Sequence, residues 1–419
     1  MLLQNFVQEI STRLRCHSKL CRRMVVANSS QIDVLIIGAG IGGLTLAHAL
    51  LQRGKSVRIL EAAPALENIG AGIQIPPNAV KVLRALGLEN TVMQYAFRPR
   101  AIEARMGRSG RRVFDIPLAA EAEKRWGAPY LHIHRADYIS ALSEGLPSGV
   151  LQLNARVNVY EQTQNEVSVT RVNGAHLTGQ YLIGADGLRS KIREQMMGPD
   201  APQFTGNMAW RAVVPAERLG GLVPNPTACA WFGPNRHAVT YRLGARGQFV
   251  NFVGVVEQAA WQEEGWAIKG ERAAALKDFE GWHPVIQNLL ENADSLHRWA
   301  LFDRAPLDKW VDGRTVLMGD AAHPMLPFLA QGAAMAVEDA WVLAEVISLG
   351  QTLSQYQNRR LPRTSKVQAA SRANMSLFHK ASLPAQLMTY GPMWAAGKLL
   401  PNMVHRRMDW IYGYDVVGA

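Results

Sequence analysis

The sequence predicts an α/β protein: a mostly parallel sheet, interrupted by an antiparallel β-rich insertion and closed by a helical C-terminal segment. Three observations carry this. A strand–turn–helix–strand run opens near residue 33. Short strands with tight turns between them fill 228–256. Parallel-sheet patterning then returns at 314–348. The 419 residues are 48% hydrophobic and 19% charged, enough apolar chain for two or three cored domains and unlike a disordered or fibrous composition.

Asp33-Val34-Leu35-Ile36-Ile37 is a short β-branched run, as expected of a strand buried on both faces. Glycine-rich chain follows. Leu44 to Arg53 then repeats apolar residues at helical spacing and stops at Gly54, a natural helix end. Ser56 to Leu60 reads as a second strand ending at Glu61, so the run is a βαβ unit of about 30 residues. Ala228–Phe232, His237–Leu243 and Gln248–Val256 are strand-like, and the short Gly/Pro/Asn linkers between them suit an antiparallel meander rather than crossovers. Arg314 to Met318 reads as a returning parallel strand and Ala333 to Ser348 as a helix, while the last forty residues mix helix signals with Pro384, Pro392 and Pro401. The expected division is a basic leader at 1–30 outside the fold, a first nucleotide-binding part at 31–200, and a β-rich substrate domain at 201–311. A second nucleotide-binding part at 312–378 and a helical segment at 379–419 complete it.

The leader carries Arg13, Arg15, Lys19, Arg22 and Arg23 against one acid, Glu9. Two readings stand: an organelle-type presequence, or an over-long start with Met24 as initiator. The second is favoured, because the leader serves no recognisable folded element. Cys16, Cys21 and Cys229 are too few for a disulfide framework and fit a reducing cytoplasm. Nothing downstream completes a four-ligand site around Cys16, His17 and Cys21, so no metal is expected. The uncharged stretch Val34 to Gln52 breaks into strand, glycine turn and helix, and no transmembrane segment is expected. The formal charge of +11 suits small anions; without a nucleic-acid motif or interleaved Lys/Arg and aromatics, no nucleic-acid partner is expected.

Gly38-x-Gly40-x-x-Gly43 follows a strand and opens a helix, with Glu61 eighteen residues after the third glycine. The glycines permit a tight turn and backbone approach to a pyrophosphate. The helix start offers unpaired N–H groups, and the acid can accept from ribose hydroxyls. This is the Rossmann-like dinucleotide arrangement, and alone it does not choose FAD over NAD. Two further segments, Tyr181-Leu182-Ile183-Gly184-Ala185-Asp186-Gly187 and Val316-Leu317-Met318-Gly319-Asp320-Ala321-Ala322-His323-Pro324, each end an apolar strand on an aspartate.

With all three segments present in order, the chain from Gln31 to Arg372 resembles the flavoprotein aromatic hydroxylases of the para-hydroxybenzoate hydroxylase type. That resemblance implies FAD as cofactor, NADH or NADPH as co-substrate, O2, and a small aromatic substrate. Asp320 and Gly319 would meet the ribityl chain, Asp186 the pyrophosphate and the nicotinamide donor, and Arg135 the FAD. Pro327 would offer its carbonyl beside substrate and flavin. The loop through Gln331 would deliver the helix start at Gly332 and Ala333 to the flavin pyrimidine edge, stabilising charge on the reduced ring. Many relatives carry Gly-Gln-Gly where this chain has Ala330-Gln331-Gly332. This variant resembles the branch acting on salicylate, 3-hydroxybenzoate and 6-hydroxynicotinate, as does Trp410-Ile411-Tyr412-Gly413-Tyr414-Asp415, whose aromatics could equally be packing residues.

On the predicted strand from His237, alternation puts His237, Val239 and Tyr241 on one face. The His/Tyr pair resembles the substrate-binding pair of hydroxybenzoate and hydroxynicotinate hydroxylases; a strand histidine bonded to backbone is the plainer alternative. The candidate catalytic set is His237, Tyr241, Gln331 and Pro327. The implied reaction is hydroxylation of a phenolic ring through a flavin hydroperoxide, with His237, at a near-neutral pKa, taking the phenolic proton. Other readings are a flavin dehydrogenase, a halogenase (though no Trp-x-Trp-x-Ile-Pro segment is present) or a non-catalytic redox sensor. A homodimer is possible, and the expected compartment is the cytoplasm.

Overall fold

The computed structural model describes residues 32–66, 71–259 and 268–418; the leader, with Cys16, His17, Cys21 and Met24, lies outside them. Ile32–Ile37 forms the centre of the first sheet, pairing in parallel with Val57–Leu60 on one side and His176–Gly184 on the other. Thr315–Leu317 extends the sheet in parallel beyond His176–Gly184. Val34, Leu35, Ile36 and Ile59 are wholly buried, which is why this strand tolerates no polar alternation. Two helices, Ile41–Gln52 and Gly332–Ser348, pack together on this core. Their contact is close because a Cβ on Gly42 would meet Ala336 Cβ at 3.2 Å.

The second sheet runs Ile268–Gly270, Leu296–Asp303, Gln203–Pro215, Phe249–Glu257, Arg236–Leu243, Ala228–Gly233, Ala101–Met106, Arg112–Pro117. Its centre is the expected meander, with His237 opposite both Phe232 and Val255. Two of its strands come from elsewhere. Ala101–Met106 pairs in parallel with Ala228–Gly233, and Arg112–Pro117 adds an antiparallel edge. The 31–200 segment therefore feeds both sheets, a departure from the single first part read from the sequence. Half-buried alternation looks the same on either sheet, so only long-range pairing assigns these strands.

The C-terminal part is helical: Leu353–Phe378, Leu383–Leu399, Pro401–Arg406 and Asp409–Tyr412. Pro384 and Pro401 sit in first turns, where a missing N–H costs nothing, while Pro392 lies inside its helix. No described helix is long and apolar enough to cross a membrane.

Candidate active site

Gly38 has φ +104°, and a Cβ there would lie 2.5 Å from the carbonyl oxygen of Ala185. A Cβ on Gly43 would lie 2.1 Å from the Gly38 oxygen. Both positions therefore exclude any other residue. At Gly40 the reason differs: no heavy atom lies within 4 Å of where its Cβ would be. Gly40 borders a cavity of about 880 Å³ and caps the Ile41–Gln52 helix with no side-chain hydrogen bond. Open space before uncapped first-turn amides fits a pyrophosphate.

Glu61 accepts from Ala39 N at 2.7 Å and Ala63 N at 2.8 Å, so its carboxylate braces the glycine loop. Asp186 lies beside the site but turns into its own helix start, accepting from the Ser190 hydroxyl (2.5 Å), Lys191 N (2.8 Å) and Ile192 N (3.2 Å). Its carboxylate shapes the turn, and the neighbouring Ala185 and Gly187 are what line the cavity.

Arg135 and Asp320 line the same cavity as Gly40. Burial raises the Asp320 pKa, an effect that His323 and Arg135 oppose. The turn that presents it starts at Gly319, φ +57°, whose N–H donates to Asp339 Oδ2 at 3.0 Å. Asp339 also holds His323 Nε2 (2.5 Å) and Arg360 Nε (2.7 Å), and Arg360 reaches Glu338 at 2.6 Å. Burial alone would raise the Asp339 carboxyl, but His323 and Arg360 outweigh it and hold the group at about 2. This buried network fixes the Asp320 turn against the Gly332–Ser348 helix, and sequence reading gave no sign of it. Gly332 and Ala333, at the start of that helix, face the cavity without a side-chain cap. The donors, the acceptor and the space together fit FAD.

The loop before that helix departs from expectation at one residue. Gln331 is buried and its Oε1 accepts from Asn78 Nδ2 at 3.1 Å, which turns the amide inward, away from the lined cavity. Oε1 thus ties the loop to Asn78, while Nε2 is buried without a hydrogen-bond partner. Ala330 takes a left-handed conformation, φ 52° and ψ 38°, where a glycine would pay no Cβ cost. Pro327 lies where the large cavity meets a second one of about 680 Å³.

His237, Val239 and Tyr241 line the large cavity together, while Ala238 and Thr240 between them are wholly buried on the other face. The His237 partner is a side chain, not backbone: Nδ1 lies 2.7 Å from His379 Nε2. Burial first, and the adjoining His379 second, push its pKa well below 6.5, which corrects the expectation of a near-neutral value. Tyr241 sits beneath Gly72, where a Cβ would come within 2.9 Å of its hydroxyl, and its ring centroid is 4.8 Å from that of His132. Burial raises its pKa, with Arg211 pulling the other way.

Arg211 was missed by the sequence reading. It borders both cavities, and its guanidinium stacks 3.8 Å from the Trp299 ring centroid. Nε is buried without a hydrogen-bond partner. Burial lowers its pKa to about 10, with Tyr241 raising it and Arg135 lowering it further. One signal was available: a lone cation in the apolar strand run Met208-Ala209-Trp210-Arg211-Ala212-Val213-Val214. The C-terminal aromatics do both jobs, since Tyr412 packs edge-on to Trp126 and Tyr130 and also lines the cavity.

In comparison with known proteins, residues 31–371 match the family model described as an FAD binding domain. A 3-amino-4-hydroxybenzoate 2-monooxygenase (PtnB3) of Streptomyces platensis is 36% identical, over 91% of this chain and 96% of its own length. A 6-hydroxynicotinate 3-monooxygenase of Bordetella bronchiseptica is 34% identical, over 91% of this chain and 95% of its own. Among solved structures, Klebsiella pneumoniae HpxO complexed with FAD and uric acid superposes with a TM-score of 0.80 at 26% identity, covering 91% of this chain and 96% of that one. Cavity, fold and relatives agree, and the chain belongs to the family of FAD-dependent aromatic-ring monooxygenases, which typically take NAD(P)H as co-substrate.

Proposed function

We propose that the protein hydroxylates the ring of a phenolic aromatic carboxylate or hydroxynicotinate, with O2 as the oxygen source. The observation that carries this reading is the cavity wall of His237, Val239 and Tyr241 beside Arg211, whose Nε has no hydrogen-bond partner. Bound FAD, once reduced by NAD(P)H, would supply an electrophilic oxygen, so the ring must be electron-rich. His237 takes the phenolic proton, which enriches the ring. Its Nδ1 faces His379, so Nε2 is the nitrogen left for substrate. Tyr241 and Arg211 hold the substrate's anionic oxygens, and the apolar Val239, Phe232 and Phe328 keep water from the reacting carbon.

On the cofactor side we assign Gly40 to the pyrophosphate, with Gly38 and Gly43 shaping the turn that presents it, Arg135 and Asp320 to FAD, and the helix start at Gly332 and Ala333 to the flavin pyrimidine edge. Exposed Leu383, Leu387 and Met388, at 67, 63 and 79% exposure, support a homodimer through the C-terminal helices. We assign the working compartment to the cytoplasm.

The test is NADH and O2 consumption by FAD-loaded protein with 3-amino-4-hydroxybenzoate, 3-hydroxybenzoate, salicylate and 6-hydroxynicotinate, with benzoate as the control lacking a phenol. At least one phenolic acid should stimulate both and yield a product one oxygen atom heavier. Stimulated NADH oxidation by a compound that is itself oxidised without gaining oxygen would instead favour the dehydrogenase reading.

A further inference from the structure

His237 is walled by Phe328 and Phe378, with ring centroids 5.3 and 5.1 Å away. Among the described residues its hydrogen-bond partner is His379, which caps the end of the Leu353–Phe378 helix. His379 spends its other nitrogen outward, with Nδ1 3.0 Å from Glu257 Oε1. Glu257 ends the Phe249–Glu257 strand, two residues beyond Val255, the partner of His237 across the sheet. Exposure rises along this row from 2% at His237 and 7% at His379 to 46% at the Glu257 side chain. A file of three titratable groups therefore leads from the cavity wall to bulk water through an apolar layer.

We propose that His379 and Glu257 form a proton exit for the substrate's phenol, with His379 the positioning and relay residue for His237. The proposal rests on the assignment of His237 as the group that meets the phenol. The phenol O–H gives its proton to His237 Nε2. His237 Nδ1–H passes one to His379 Nε2, and His379 Nδ1–H passes one to the Glu257 carboxylate, which releases it to water. One O–H bond of the substrate breaks, and each imidazole gains one N–H and loses another. Both rings thus stay neutral and only exchange tautomers. The chain resets by running in reverse when a proton returns to the product oxygen.

This resolves a difficulty in the site. A histidine sealed between two phenylalanine rings is a poor resting place for a cation, and burial depresses the basicity of both imidazoles. A relay needs no imidazolium, because the positive charge never stays in the apolar layer. At the outer end Glu257 favours protonated His379 and Arg236 disfavours it. Arg236 is itself bonded to the Asp278 and Pro234 carbonyls, and Lys380 reaches the Ser376 hydroxyl at 3.5 Å. Glu257 is therefore the acceptor at the mouth.

The experiment mixes FAD-loaded protein with a phenolic probe in weakly buffered solution with an indicator dye, and follows proton release by stopped flow. The probe is whichever of 3-hydroxybenzoate, 3-amino-4-hydroxybenzoate and 6-hydroxynicotinate gives the tightest flavin difference spectrum. Wild type should release a proton on binding. His379→Gln, which can still accept a hydrogen bond from His237 but cannot pass a proton on, should slow that release by about 10²-fold. Probe affinity and FAD content should stay within about 2-fold. Glu257→Gln, a surface change that leaves the core intact, should slow release as well, and formate or acetate should restore part of the rate. Unchanged release in both variants, or no release in wild type, overturns the relay. His237→Ala separates the two claims: if it too leaves release and coupling unchanged, the assignment of His237 itself fails. If it abolishes release while His379→Gln does not, only the relay fails.

Discussion

Replacing Arg211 with Met should move stability and ligand affinity in opposite directions. Arg211 is half-buried with its Nε unpartnered, and its fall from 12.5 to about 10 corresponds to a cost of at most ~3 kcal/mol in the charged state. Stacking on Trp299 offsets about 1 kcal/mol of that. Methionine keeps most of the packing and needs no partner, so the FAD-loaded, substrate-free protein should gain about 1–2 kcal/mol against urea. Substrate binding should suffer. A charge-assisted hydrogen bond to a carboxylate contributes ~1.5–3 kcal/mol, so Kd for 3-hydroxybenzoate should rise about 10- to 150-fold. Resorcinol, which offers a second hydroxyl in place of the carboxylate, should lose far less. The assay is flavin-spectrum titration with both ligands beside urea unfolding followed by flavin fluorescence. Equal losses for the acid and the neutral ligand, or a destabilised protein, would refute an Arg211 that waits for the substrate anion.

Three further outcomes are expected. Ala330→Gly should raise unfolding free energy by ~1 kcal/mol, since φ 52° penalises a Cβ, and calorimetry of the holoprotein should show the higher Tm. Asp320→Ala removes an acceptor facing the cofactor cavity, so FAD should dissociate about 5- to 150-fold more readily in fluorescence titration, the equivalent of ~1–3 kcal/mol; full FAD retention would remove Asp320 from the site. Stability should also fall in mild acid. Burial lowers the folded pKa of His132, His237 and His379, so unfolding takes up protons; the stability is present above about pH 6.5 and drains away below it. His132, held at about 3, alone accounts for ~2 kcal/mol lost at pH 5, and urea midpoints at pH 8 and pH 5 measure it.

Local pattern made much of this molecule legible. The glycine turn is readable because Gly38 and Gly43 meet backbone oxygen at once, and such constraints leave a fixed spacing in the chain. The His237–Val239–Tyr241 wall is readable because strand alternation is strict. What stayed hidden depends on partners far along the chain. His379 lies 142 residues from His237, and Gln331 turns to Asn78 across 253 residues. The basicity of His237 was misjudged for the same reason: Phe328 and the adjacent pair Phe378 and His379 enclose it, and no local window contains them. Arg211 is the one omission the sequence could have prevented, since a cation in a buried strand requires an explanation.

The strand pairing also sets the unit that can be exchanged between relatives. Ala228–Gly233 lies against Ala101–Met106, and Arg112–Pro117 covers the far side, where Gly397 of the C-terminal helices packs onto Phe114. Cutting out 201–311 alone would leave Ala228–Gly233 as a bare apolar edge, open to pairing with any neighbouring chain. A chimaera that transplants substrate preference must therefore carry 101–117 together with the insertion. Shuffling at the apparent sequence boundaries should yield aggregates rather than altered specificity.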